Sequence, residues 1–127
     1  MNQEKQLVFV YGTLRRGEEN HRMIVGNTIL GNTLTDERYT MYDLGEYPAV
    51  IQNGKSAIIG EVYDISTDLL ATLDKLEECP DYYRRLYIDT PYGKAWMYVL
   101  SRLPDAYDCK IDSGDWVGHR TSRGQHF

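Results

Sequence analysis

A basic surplus is the first thing missing: 14 Lys and Arg stand against 19 Asp and Glu, a formal net charge of −5. Domains that bind nucleic acid carry a basic face. Here the only basic pairs are Arg15-Arg16 and Arg84-Arg85, and neither extends into a stripe, so no nucleic-acid partner is expected. Long apolar runs are missing too. Nothing approaches the roughly 20 residues that span a bilayer, and the polar start MNQEKQ is not an export signal. A cytoplasmic protein without membrane contact is expected. Cysteine is scarce: Cys79 and Cys109 form no CxxC pair and should stay reduced. His21, His119 and His126 are too scattered to suggest a zinc site, so no metal is expected. There is no GxSxG elbow for a serine hydrolase and no GxxxxGK[ST] phosphate loop. Cys79 lies beyond the negative end of a helix, where nothing lowers its thiol pKa, and reads as structural.

With 127 residues, 42% of them hydrophobic, the chain suits one compact domain over 1–127, with no linker and no repeat. Eleven tyrosines against two phenylalanines give it aromatic area with hydroxyls attached, which suits half-buried strands and mixed pockets. Leu7–Tyr11 reads as a buried strand ended by Gly12. Asn20 is a plausible cap for a short helix over 21–25. Strands are expected at 29–35, 38–44 and 47–51, then a turn at Asn53-Gly54 and a strand over 57–65. The main helix is capped by Ser66 or Thr67 and carries Leu69, Leu70, Leu73 and Leu76 as its apolar stripe. Pro80 closes it. Strands at 83–90 and 94–101 flank the turn Thr90-Pro91-Tyr92-Gly93. From Leu103 onward the chain reads as irregular, apart from Ser113-Gly114-Asp115-Trp116, and 120–127 as frayed. The fold class is α+β: a small mixed, β-barrel-like sheet with one main helix and a short one.

Two places could carry chemistry. At about 100° per residue, with Leu69 at zero, Leu73 falls near 40°, Leu70 near 100° and Leu76 near −20°. Glu77 comes out at about 80°, inside that stripe, and Glu78 near 180°, on the far side. A carboxylate on an apolar face, in the last turn of its helix, has its pKa raised both by desolvation and by the dipole. That suits proton transfer. The plainer reading makes Glu77 a boundary residue paired with Lys75, Arg84 or Arg85. The second place is Tyr11-Gly12-Thr13-Leu14, where a turn after a buried strand can expose backbone N–H groups to an oxygen ligand. Turns of this kind also occur without function.

Val8-Phe9-Val10-Tyr11-Gly12-Thr13-Leu14-Arg15-Arg16-Gly17 with Asn20-His21 resembles the opening of the gamma-glutamylcyclotransferase-like family, in particular its gamma-glutamylamine branch. Leu73-Asp74-Lys75-Leu76-Glu77-Glu78-Cys79-Pro80, with Tyr83 and Arg85 after it, resembles that family's catalytic segment. Tyr47-Pro48 and Gly60-Glu61-Val62-Tyr63 fit in order and spacing, so the resemblance covers about residues 7–101. The segments Ala95–Val99 and Ser113–Trp116 look like small bacterial members. The resemblance implies an enzyme that cyclises a gamma-glutamyl group to 5-oxoproline and releases an amine or amino acid. Glu77 would be its general acid/base, and the amides of Gly12, Thr13 and Leu14 would hold substrate oxygens. Tyr11 would line the pocket, with Tyr47, Pro48, Tyr83 and Arg85 as walls or supports. It implies no cofactor, and a small gamma-glutamyl molecule as partner. The leaving group would be read by loops near 46–48 and 104–112. Without a sustained heptad the default is a monomer. Two rivals are a catalytically silent small-molecule binder of the same fold and an interaction module built on the tyrosines.

Overall fold

The computed structural model describes residues 5–100 and 109–124. Seven strands, two α-helices and a short 3₁₀ helix follow in chain order. They are β1 (Lys5–Val10), the 3₁₀ helix (His21–Met23), β2 (Thr28–Leu34), β3 (Tyr39–Asp43), β4 (Pro48–Ser56), β5 (Ile59–Ser66), α1 (Thr67–Leu76), β6 (Tyr83–Thr90), β7 (Gly93–Leu100) and α2 (Trp116–Gly124).

Five strands make one sheet in the order β2-β5-β1-β7-β6, with β1 at its centre. β1 runs antiparallel to β5 and parallel to β7, so the sheet is mixed as expected. It does not close. β3 and β4 pair with each other as a separate two-stranded ribbon, so the barrel-like expectation is corrected to an open sheet with a hairpin packed on it.

The central strands bury both faces, and the period of two assigns their side chains to two cores. Phe9, Val62, Met97 and Val99 pack with Met41 and Val50 of the ribbon and with Trp116 of α2. Val8, Val10, Tyr63, Tyr98 and Leu100 pack on the other face against Leu70 and Leu73 of α1 and Ile24 after the 3₁₀ helix. α1 begins as the sequence indicates, with the Ser66 side chain accepting from the Leu69 N–H at 3.1 Å.

Four local expectations change. Asn53-Gly54 is no turn between strands: β4 continues to Ser56, and its pairing with β3 skips from Ile51 to Ser56. The Thr40 hydroxyl donates to the Asn53 carbonyl at 2.6 Å, which keeps this bulge against β3. Asn20 caps nothing through its side chain, which goes to Thr13 instead. Residues 116–124 are helical rather than irregular or frayed, because Trp116 is a fully buried anchor and Asp115 accepts from the Gly118 N–H. Leu76 is 39% exposed and leaves the stripe to Leu70 and Leu73. The expected irregular stretch 103–108, the end of the last strand at Ser101 and the tail 125–127 lie outside the described residues. No helix among the described residues is long and apolar enough to cross a membrane.

Candidate active site

β1 ends where α1 ends, and β4 and β6 begin at the same place. Between them lies a cleft of about 350 Å³. Its wall takes Tyr11, Gly12, Thr13 and Leu14 from the loop after β1, Tyr47 and Pro48 from the start of β4, and Tyr83 from the start of β6. Glu77 enters from the end of α1.

Glu77 is the C-cap of α1, with φ −87° and ψ 0° and its N–H bonded to Leu73 O. Near-helical dihedrals carry the rotation of the helix one residue past its last turn. The side chain therefore continues the Leu70–Leu73 direction into the cleft. Glu78 breaks the pattern. At φ +55° it turns the chain, is exposed and borders the cleft instead of pointing away from it. The backbone then closes back, with Cys79 N–H on Asp74 O at 2.8 Å and Tyr82 N–H on Glu78 O at 2.8 Å.

Burial lifts the Glu77 carboxyl from the ordinary 4.5 to about 7. Its surroundings explain why nothing offsets the burial. Arg85 does not neutralise it: that guanidinium forms a fork with Asp74, Nε to Oδ1 at 2.7 Å and Nη2 to Oδ2 at 3.0 Å, and lies over Trp96. Arg84 pairs with Gln52. Among the described residues no ion pair reaches Glu77, which removes the boundary-pair reading. The neighbouring phenols are committed as well. Tyr11 OH donates to Tyr98 O at 2.7 Å, Tyr83 OH to Pro48 O at 2.8 Å and Tyr98 OH to Asp74 at 2.6 Å. Burial pushes all three phenols up, joined by charges including that of Glu77 at Tyr11 and Tyr83 and by the hydrogen bond to Asp74 at Tyr98, so they stay protonated as donors.

Opposite stands the loop. Gly12 O accepts from Arg15 N–H at 3.0 Å and Thr13 O from Asn20 N–H at 2.8 Å, while the Asn20 side chain donates to Thr13 Oγ1 at 2.9 Å. Among the described residues the N–H groups of Gly12, Thr13 and Leu14 have no acceptor. Gly12 is required by its neighbour: a Cβ there would sit 2.7 Å from Pro48 Cγ. Tyr47 is 38% exposed at the rim, its hydroxyl 3.1 Å from that of Tyr82.

Eight of the nine expected site residues thus share one cleft, and Arg85 does not. It stands a layer behind, holding Asp74, which holds Tyr98. Tyr98 and Asn20 line the cleft without having been singled out as site residues. Both lay within segments that carried the resemblance. The rim adds Glu19, Glu46 and Glu78, and among the described residues the cleft lining contains no Lys, Arg or His. No group of three or more His, Cys, Asp or Glu among the described residues converges as a metal-ligand set.

Known proteins share this arrangement of chain. Residues 8–118 match the family described as gamma-glutamyl cyclotransferase, AIG2-like. A Vibrio cholerae protein that carries the gamma-glutamylcyclotransferase name provisionally is 46% identical over 112 residues, covering 88% of this chain and 96% of its own. The gamma-glutamylcyclotransferase family protein YtfP of Escherichia coli K12 is 42% identical over 110 residues, covering 87% of this chain and 95% of its own. The crystal structure of an uncharacterised Pyrococcus horikoshii protein superposes with a TM-score of 0.81 at 27% identity, over 95% of this chain and 98% of that one.

Proposed function

The chain belongs to the gamma-glutamyl cyclotransferase, AIG2-like family, and on that premise we propose that it cyclises a gamma-glutamyl amide to 5-oxoproline with Glu77 as the proton carrier. The observation that carries this is a carboxyl in the cleft, held near neutrality by burial and without a counter-charge, sharing that cleft with a loop whose three backbone N–H groups lack acceptors among the described residues.

The reaction needs little else. In a gamma-glutamyl amide the α-amino nitrogen is tethered to its target, and attack on the γ-carbonyl closes a five-membered lactam. Well-oriented intramolecular attack is worth an effective molarity of about 10⁵–10⁸ M. Glu77 takes one proton from the α-ammonium, the nitrogen attacks the γ-carbon, and the carbonyl oxygen takes the electron pair. The amides of Gly12, Thr13 and Leu14 stabilise substrate oxygens, including the one on which charge develops. As the intermediate collapses, the C–N bond to the leaving group breaks. The nitrogen that departs receives the proton from Glu77 and a second proton shed as the attacking amine becomes an amide, and leaves as an ammonium. Tyr11, Tyr83 and Tyr98 wall the cleft, with Tyr47 and Pro48 at its mouth. Arg85 supports Tyr98 through Asp74.

The rim bears on the leaving group. Three exposed carboxylates and no cation among the described lining residues favour a neutral or cationic amine over a leaving amino acid whose own carboxylate would face Glu19, Glu46 and Glu78. A panel of gamma-glutamyl amines, gamma-glutamyl dipeptides and glutathione, followed by mass spectrometry for 5-oxoproline, tests the reaction and the preference together. Absence of product from the whole panel would support a silent binder of the same fold instead.

A further inference from the structure

Behind the Gly12–Leu14 loop, on the side away from the cleft, lies a buried ionic cluster that the chemistry does not use. Glu61 of β5 is 5% exposed and Arg15 8% exposed. Glu61 Oε1 accepts from the backbone N–H of Arg16 at 3.0 Å and from Tyr63 OH at 3.0 Å, and Oε2 faces Arg15 Nε at 3.3 Å. The same guanidinium donates from Nη1 to Asp115 Oδ1 at 2.9 Å, just before α2. α2 reaches the loop again where Arg120 Nη1 donates to Glu18 Oε1 at 2.8 Å. One strand carboxylate therefore grips the loop by a main-chain N–H and by a side chain, and the end of the chain braces that side chain.

We propose that Glu61 is the positioning residue of the Gly12–Leu14 loop, acting through Arg15 and the Arg16 N–H with Asp115 as brace, so that it helps hold the three amides in place from outside the cleft. The physical reason is that amides aimed at a developing charge help only if they are already in place. Leu14 is buried in the core and Asn20 holds Thr13, and beyond them it is Glu61 that grips the chain where the loop leaves at Arg15 and Arg16. The Glu61 carboxylate supplies a fixed acceptor on a strand of the central sheet, β5, paired with β1 along six positions. This inference rests on the proposed role of the loop but not on Glu77.

The test uses the full chain with Glu61→Gln, which keeps an acceptor oxygen and loses the charge, and Asp115→Asn, which keeps the cap on Gly118 N–H. Two readouts are taken on folded protein: hydrogen exchange of the bonded amides of Arg15 and Arg16, and KM and kcat for the best substrate of the panel with the pH profile. Glu61→Gln should speed exchange at those amides at least tenfold while amides of β1 and β5 stay protected. It should lower kcat/KM at least tenfold and leave the acid midpoint in place. Asp115→Asn should do the same about threefold. Should Glu61→Gln not fold, Asp115→Asn alone decides. Wild-type exchange and wild-type kcat/KM in the folded variants would overturn the inference, as would a lower melting temperature with kinetics unchanged. If wild-type protein turns over nothing, the exchange arm still decides the positioning role, and the failure belongs to the proposed reaction.

Discussion

Replacing Glu77 by Gln should make the protein more stable, and increasingly so as the pH rises from about 4.5 to 7. Burial holds the Glu77 carboxyl near 7 instead of 4.5. At about 1.4 kcal/mol per decade of proton affinity, keeping it ionised in the folded state costs about 3 kcal/mol. The sign follows from the direction of the shift. Below about pH 4.5 the group is protonated in both folded and unfolded chains and contributes no difference. Between about pH 4.5 and 7 the unfolded chain gives up the proton while the folded chain keeps it, so the cost grows across that window and is complete by about pH 8. Glutamine is nearly isosteric with the neutral acid and carries that state to every pH. Urea unfolding of wild type and Glu77→Gln at pH 4 and pH 8 measures the difference. Near-equal stabilities at pH 4 and a variant more stable by up to about 3 kcal/mol at pH 8 are expected, on the order of 10 °C in melting temperature. A gap that is the same at both pH values, or a wild type that is the more stable at pH 8, would refute the reasoning. A strained or desolvated group kept at a cost to stability is what a working site looks like.

The pH profile of kcat/KM should fall on the acid side with a midpoint near 7, because Glu77 accepts a proton only when ionised; a midpoint near 4.5 would mean that the carboxyl is not desolvated when it acts. Glu78→Gln should change kcat by less than about threefold, since that carboxylate is exposed at the rim and solvent screens it; a loss equal to that of Glu77→Gln would remove the distinction between the two. Gly12→Ala should destabilise by about 1–3 kcal/mol and raise KM, because its Cβ would meet the rigid Pro48 ring, and denaturant midpoints with initial rates show both. Tyr98→Phe removes a 2.6 Å hydrogen bond to Asp74 and should cost about 1–2 kcal/mol by the same unfolding assay, with the Arg85–Asp74 fork left in place.

Much of the site was legible because its parts are local. Gly12 and Pro48 announce themselves by residue type, although their contact with each other is long-range. Glu77 was placed by helical rotation, which holds one residue past the helix because its dihedrals stay near helical. One residue later the rotation fails, and no periodicity shows that Glu78 adopts φ +55°. The strands of the central sheet were readable from alternating apolar residues, but whether they close into a barrel depends on pairings between distant strands, and β3 with β4 stood apart. The helix at 116–124 escaped because much of its length is polar and its burial rests on Trp116 alone among its large apolar residues. Arg85 was given to the cleft by its place in the motif. Asp74, eleven residues earlier, keeps it in the supporting place behind the wall by a fork between α1 and β6 that no spacing in the sequence announces.

The central claim is that Glu77 moves the proton in a gamma-glutamyl cyclisation, and mass-spectrometric detection of 5-oxoproline from the gamma-glutamyl panel, wild type beside Glu77→Gln, tests it most directly. Product from wild type with a loss of about 10²–10⁴ in the folded variant is the predicted result. Product formed equally by both proteins would contradict it.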